Sequence, residues 1–181
     1  MPGRMIADEY EPRIVALLCK WCSSAGSDLA GVSRLQYPPN VVPLTVMCSG
    51  SVSPLYILLA FSKGADGVLV SGCHPGDCHY IKGNYYARRR IGLVKELLEF
   101  VGLEPERFRM SWVSAAEGSK YTQIITDFVR DLKPLGPQMK LRRQPSPGPE
   151  TATVDPVSPV SSALDPEILT ITPAPAVLAP S

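Results

Sequence analysis

The chain has 181 residues and 45% hydrophobic composition, enough for one domain of ordinary size with a packed core. Its formal net charge of +1 gives no basis for a nucleic-acid or polyanion binder, which relies on a large basic excess. No apolar stretch approaches the ~20 residues that span a bilayer, and Met1 to Tyr10 carries two acids and no apolar core segment, so a soluble, cytoplasmic protein is expected.

After an N-terminal extension over residues 1–11, the elements alternate. Apolar runs predict strands at Arg13 to Leu18, Val42 to Met47, Gly67 to Ser71 and Phe108 to Val113. Helices are predicted between and after them. The first covers Ala25 to Leu35. The second has Ser53 as its cap, Pro54 at its first position and Gly64 as its stop. The third runs from about Asn84 to Val101, ahead of Gly102, and the fourth starts near Glu117. In that last helix Tyr121, Ile124, Ile125, Phe128, Val129 and Leu132 recur at i, i+3, i+4, i+7, i+8, i+11 and define one apolar face. Strands alternating with amphipathic helices imply a parallel sheet covered on both sides, a small doubly wound α/β fold of flavodoxin-like type with about four strands. The domain is expected over residues 12–135. Of the 19 prolines, 11 lie from Pro134 onward, where apolar periodicity stops, so residues 136–181 are expected to form a disordered Pro-rich tail.

Chemistry concentrates in the five cysteines, Cys19, Cys22, Cys48, Cys73 and Cys78. Each follows an apolar run, at what reads as the carboxyl end of a strand. In a parallel sheet those ends share one edge, so the thiols are expected to converge there, where open α/β sheets bind their ligands. An odd number of cysteines in a cytosolic chain argues against a disulfide framework and for metal or redox chemistry. Cys19-Lys20-Trp21-Cys22 has the spacing of a dithiol redox centre or of half a metal site. Cys73-His74-Pro75-Gly76-Asp77-Cys78 has four intervening residues and a Pro-Gly turn that folds its second sulphur toward its first. A dithiol enzyme uses two cysteines and leaves three unexplained, whereas a centre with four thiolates leaves one. Zinc and iron-sulphur both accept four thiolates. Three readings therefore stand open: an iron-sulphur carrier, a thiol-disulfide oxidoreductase acting through Cys19 and Cys22, and a zinc-stapled interaction module. His74 and His79 are expected as supporting donors or loop residues, and Asp77 as a turn residue. No nucleophile with its base and orienting group is readable, and no glycine fingerprint for a nucleotide is present.

Arg88-Arg89-Arg90 divides by helical phase. Arg88 and Arg89 border the outward face with Lys95 and Glu99 and are expected to steer a partner, whereas Arg90 falls in the apolar arc of Val94, Leu97 and Val101. There it needs an anion, a local carboxylate or the edge of a cluster, or else it snorkels outward.

The run Gly72-Cys73-His74-Pro75-Gly76-Asp77-Cys78-His79-Tyr80, with Met47-Cys48-Ser49-Gly50 before it and Trp112-Val113-Ser114-Ala115-Ala116-Glu117-Gly118 after it, resembles the delta (iron-sulphur) subunit of methyl-viologen-reducing hydrogenase. Cys19-Lys20-Trp21-Cys22, Ala25 to Gly31 and Gly64 to Val70 share the likeness, which covers roughly Pro12 to Leu132. The resemblance implies a single 2Fe-2S cluster in a non-catalytic electron-transfer subunit. That protein would relay electrons between a hydrogenase, or a formate dehydrogenase, and the flavin-containing subunit of a heterodisulfide reductase complex, with neither nucleic acid nor membrane as a partner. The Pro-rich stretch after Pro134 departs from the family domain and bears on the partner. For a two-iron cluster the spacing selects Cys19 with Cys22 and Cys73 with Cys78, leaving Cys48 as a reserve ligand or packed thiol, with an exchange of Cys48 for Cys22 or Cys78 as the alternative that its place at a strand end leaves open.

Overall fold

The computed structural model describes residues 10–142. Four strands alternate with four helices: β1 (Ile14–Cys19), α1 (Ser23–Val32), β2 (Val41–Val46), α2 (Pro54–Ser62), β3 (Gly67–Gly72), α3 (Gly83–Phe100), β4 (Phe108–Trp112) and α4 (Gly118–Leu132). The sheet order is β2-β1-β3-β4 and every pairing is parallel. This is the expected doubly wound α/β architecture.

Alternation along β1 sends successive side chains to opposite faces. Ile14, Ala16 and Leu18 join Tyr121, Ile125, Phe128 and Leu132 of α4 in one core. Leu17 joins Ile57 and Phe61 of α2 and Val94 and Leu98 of α3 in the other. The long apolar face read from α4 is therefore the face that seals one side of the sheet. Ser53 caps α2 as expected, its hydroxyl accepting from the Leu55 amide at 3.3 Å. No helix among the described residues is long and apolar enough to cross a membrane.

Three local departures from the sequence expectation have physical causes. Helix α1 begins earlier, because the Gly26 amide reaches the Cys22 carbonyl at 2.8 Å and closes a first turn with Cys22 as its N-cap. Strand β2 is an edge, not a strand covered on both faces: Val42 is 57% and Leu44 48% exposed. Pro43 suits that edge, since it has no N–H to leave unpaired. Finally, residues 136–142 turn back onto the domain. Gln138 is buried and its backbone N–H donates to Asp66 Oδ1 at 2.8 Å, while Leu141 packs against the second core. The predicted tail boundary at 136 is thus too early; residues 143–181, the rest of that expectation, lie outside the described residues.

Arg107 fixes this return. It is 2% exposed and donates to Asp66 O at 3.2 Å, Gly136 O at 2.9 Å, Leu135 O at 2.9 Å and Glu104 Oε2 at 2.7 Å. Asp66 in turn accepts from the Arg13 amide at 2.9 Å. The clamp ties the amino ends of β1, β3 and β4 to the chain leaving α4. Breaking a buried charge out of such a set costs about 3–5 kcal/mol. Arg107→Met is expected to lower unfolding free energy by that order in urea melts, and Arg107→Lys to recover little, because an ammonium lacks the planar fork. Near-parental stability in Arg107→Met would refute the clamp.

Candidate metal centre

All five thiols are free and buried, and all lie at the carboxyl edge of the sheet. Parallel register delivers them there. Cys19 ends β1, Cys22 opens α1, Cys48 precedes a short 3-10 turn at Ser49–Ser51 after β2, and Cys73 and Cys78 flank the turn that follows β3.

In space the sulphurs group as three and two. Those of Cys19, Cys22 and Cys73 lie within 4.8 Å of one another, with Cys19 and Cys73 at 3.8 Å. Cys48 and Cys78 form the second group at 4.0 Å. This differs from the pairing of sequence neighbours, because the Pro75-Gly76 turn carries Cys78 across to the loop after β2. That turn has Gly76 at φ +98° and closes through the Asp77 amide to His74 O at 2.9 Å, so Asp77 serves the turn through its backbone.

Glycine opens the room for the second pair. A Cβ on Gly83 would collide with Cys48 Sγ and come within 3.1 Å of Cys78 Sγ, and a Cβ on Gly50 would strike the Gly83 carbonyl oxygen at 2.5 Å. The amino end of α3 therefore abuts one pair of thiols, as the amino end of α1 holds Cys22. Helix amino ends carry partial positive charge and favour anionic sulphur.

The thiols are electrostatically unequal. Cys19 is the shared acceptor: donation from the Cys22 thiol, together with the Trp21 and Ser49 amides and the Cys73 thiol, lowers its pKa to about 5 against the cost of burial. Its donor Cys22 is pushed strongly up by that same hydrogen bond and by burial. Burial raises Cys48 to about 11, opposed by the Gly50 amide, and burial also raises Cys73. Such a group holds one thiolate readily and resists further ionisation until a cation replaces the protons. Soft, buried thiolates in this number fit iron or zinc.

The surrounding frame is only partly visible in sequence. Asn84, 1% exposed, donates to Cys73 O at 3.3 Å and His74 O at 2.6 Å, pinning the turn after β3 to α3. Among the described residues Arg90 pairs with no carboxylate. Its head is exposed and donates to the carbonyls of Gly50 and Val52, the latter at 3.4 Å, so it caps the oxygens of the 3-10 turn beside Cys48. His74 donates through Nε2 to Glu117 Oε2, 2.7 Å away, and His79 stacks on Trp21 with ring centroids 3.7 Å apart. Neither histidine joins the group of three sulphurs. Trp21, Cys22, Cys73, His74, Asp77 and His79 line a cleft of about 280 Å³.

Glu117 is more than the helix start that its sequence position suggests, and Ser114-Ala115-Ala116-Glu117 does have the Ser-x-x-Glu form of a capping box. Its carboxylate accepts from the Ser114 amide at 2.7 Å and bridges to His74, linking the loops after β3 and β4.

A model of a known family matches residues 14–136, described as methyl-viologen-reducing hydrogenase, delta subunit. The chain belongs to that family. It is 47% identical over 132 residues to the iron-sulfur subunit of the F420-non-reducing hydrogenase vhc of Methanococcus voltae, covering 73% of this chain and 92% of the relative. The iron-sulfur subunit of the F420-non-reducing hydrogenase of Archaeoglobus profundus is 48% identical, with 73% and 96% covered. A longer relative, from the ferredoxin:CoB-CoM heterodisulfide reductase of Methanosarcina mazei, is also 48% identical over 126 residues, 70% of this chain but 16% of its own length. Among these relatives, then, the domain occurs both by itself and within a much longer polypeptide.

The Glu117 bridge has a pH signature. Amide and His74 hydrogen bonds lower its pKa from 4.5 to about 2. A depressed folded-state pKa contributes stability above the unfolded value, lost as pH falls through the folded one. The melting-temperature gap between parent and Glu117→Gln is therefore expected to be full above pH 4.5 and to close toward about pH 2. A gap independent of pH over that window would remove the carboxylate bridge as its source.

Proposed function

We propose that the chain is an electron-transfer subunit carrying one 2Fe-2S cluster. It works in the cytoplasm and relays electrons between a hydrogenase, or a formate dehydrogenase, and the flavin subunit of a heterodisulfide reductase-type complex. The observation that carries this is the gathering of five buried thiols as three and two on the sheet edge. When bound, the cluster supplies a one-electron couple; the protein supplies its ligands, a dry site and the local field. Four thiolates from Cys19, Cys22, Cys73, Cys78 and Cys48 serve as ligands.

The grouping of sulphurs favours Cys48 with Cys78 on one iron and two of Cys19, Cys22 and Cys73 on the other, a partition that moves the spare thiol from Cys48 into the group of three. A single tetrahedral zinc needs four sulphurs about 3.8 Å apart around one point, and the grouping within 4.8 Å holds three. A thiol-disulfide enzyme fits less well, since a nucleophilic thiolate must be reached by its substrate and Cys19 is 1% exposed. Amide donors to Cys19 and Cys48 and the amino ends of α1 and α3 stabilise negative charge and so raise the potential relative to a bare site.

Anaerobically purified protein is expected to be brown, with about two irons and two acid-labile sulphides per chain, the stoichiometry of a 2Fe-2S centre. Colourless zinc protein or metal-free protein would reject the reading. Among five single Cys→Ser variants, Cys48→Ser and Cys78→Ser are expected to lose the parental paramagnetic signal after reduction, and one of Cys19→Ser, Cys22→Ser and Cys73→Ser to retain it. Retention in Cys48→Ser would restore the pairing of sequence neighbours.

A further inference from the structure

Two exposed features of this domain contain none of its thiols: an apolar groove between β2 and α2 of about 450 Å³, and an aromatic, basic face beside the thiols. The second carries the argument further. Six aromatic side chains count as exposed among the described residues, and four of them, Trp21, Tyr80, Tyr85 and Tyr86, come from the loops after β1 and β3 and the first turn of α3. Trp21 joins two of these segments directly: it stacks on His79 and its indole N–H donates to the Tyr80 hydroxyl at 3.2 Å.

Ile81 adds an independent sign. It is 76% exposed and sits at φ +66°, a conformation that β-branched residues rarely accept. Displaying a strained apolar side chain to solvent is unfavourable twice over, and such strain concentrates at functional segments. The charges around it are predominantly basic. Lys20, Lys82, Arg88 and Arg89 are exposed, and none takes part in an ion pair among the described residues. Asp77 is the acid in the segments Cys19 to Cys22 and Cys73 to Arg90. Aromatic and arginine side chains in a desolvatable centre are what interface hot spots are made of.

We propose that this face docks an acidic protein surface, with Ile81, Tyr85 and Tyr86 inserted at its centre and carboxylates of the partner meeting Lys20, Lys82, Arg88 and Arg89. The docking deepens the electron-relay reading by giving it a port. It rests on that reading only for the choice of probe.

The test uses the full chain and the purified flavin-containing polypeptide of a heterodisulfide reductase, with binding kinetics followed across ionic strength. Iron content and the reduced paramagnetic signal are recorded for every variant. Arg88→Gln/Arg89→Gln is expected to slow association about tenfold at low salt and to converge on the parent at high salt. Ile81→Ser/Tyr85→Ser is expected to weaken binding about tenfold at every ionic strength, mainly through dissociation. Leu44→Gln/Leu59→Gln, in the β2–α2 groove, is expected to bind like the parent. No binding by the parent, unchanged kinetics in both port variants, or loss confined to the groove variant would each overturn the proposal, as would self-association of the chain abolished by Ile81→Ser. Should the parent lack iron yet follow the binding pattern, the relay reading falls and the docking face stands.

Discussion

Leu17 pairs with Val70 and Leu18 with Ser71 across β1 and β3, in parallel. The convergence of the thiols follows from that direction. Were β3 antiparallel to β1, Cys73 would lie at the opposite edge of the sheet from Cys19, a strand length of roughly 20 Å away. Parallel pairing instead brings the ends of three strands together and requires helical crossovers to return the chain. Those crossovers place the amino ends of α1 and α3 against the sulphurs, so one topological choice supplies both the ligands and the partial positive charges that steady them.

The two ends of the sheet divide labour. At the amino edge, Arg107 donates to three backbone carbonyls and to Glu104, and Asp66 accepts from two backbone amides, so together they hold the residues after α4 in place. At the carboxyl edge polar groups serve the loops that carry sulphur: Asn84 on the turn after β3, Arg90 on the turn after β2, Glu117 on the join between the loops after β3 and β4. Burial of the thiols withholds water and keeps most of them protonated in the absence of a cation. Metal binding and order at this edge are consequently coupled through proton release.

Close packing leaves the second pair of thiols little spare room. Gly83 leaves the space that Cys48 and Cys78 fill, and Gly50 passes against Gly83 at backbone contact. Arg90 reaches from the second turn of α3 to the carbonyls of the same 3-10 turn, so helix and turn are linked by contact and by hydrogen bonds. The exposed aromatic face begins where this packing ends, at Tyr80 and Ile81.

Local sequence determined much of this protein. Apolar runs, the Ser53-Pro54 cap and the periodic face of Tyr121 to Leu132 specified elements to within one or two residues at most ends, because each signal is satisfied within a few positions along the chain. The convergence of the cysteines was legible too, since it needs only parallel strands. What tertiary structure alone decided is which sulphur meets which. Spacing joins Cys73 to Cys78, yet the turn at Gly76 and the gap left by Gly83 carry Cys78 to Cys48, thirty residues away along the chain. Helical phase put Arg90 in the apolar arc of α3 but could not reveal that its exposed head reaches the Gly50 carbonyl forty residues distant. Arg107 is the same case: its guanidinium is buried only because the carbonyls of Asp66, Leu135 and Gly136 happen to point at it, and that coincidence exists in three dimensions and not in the order of residues.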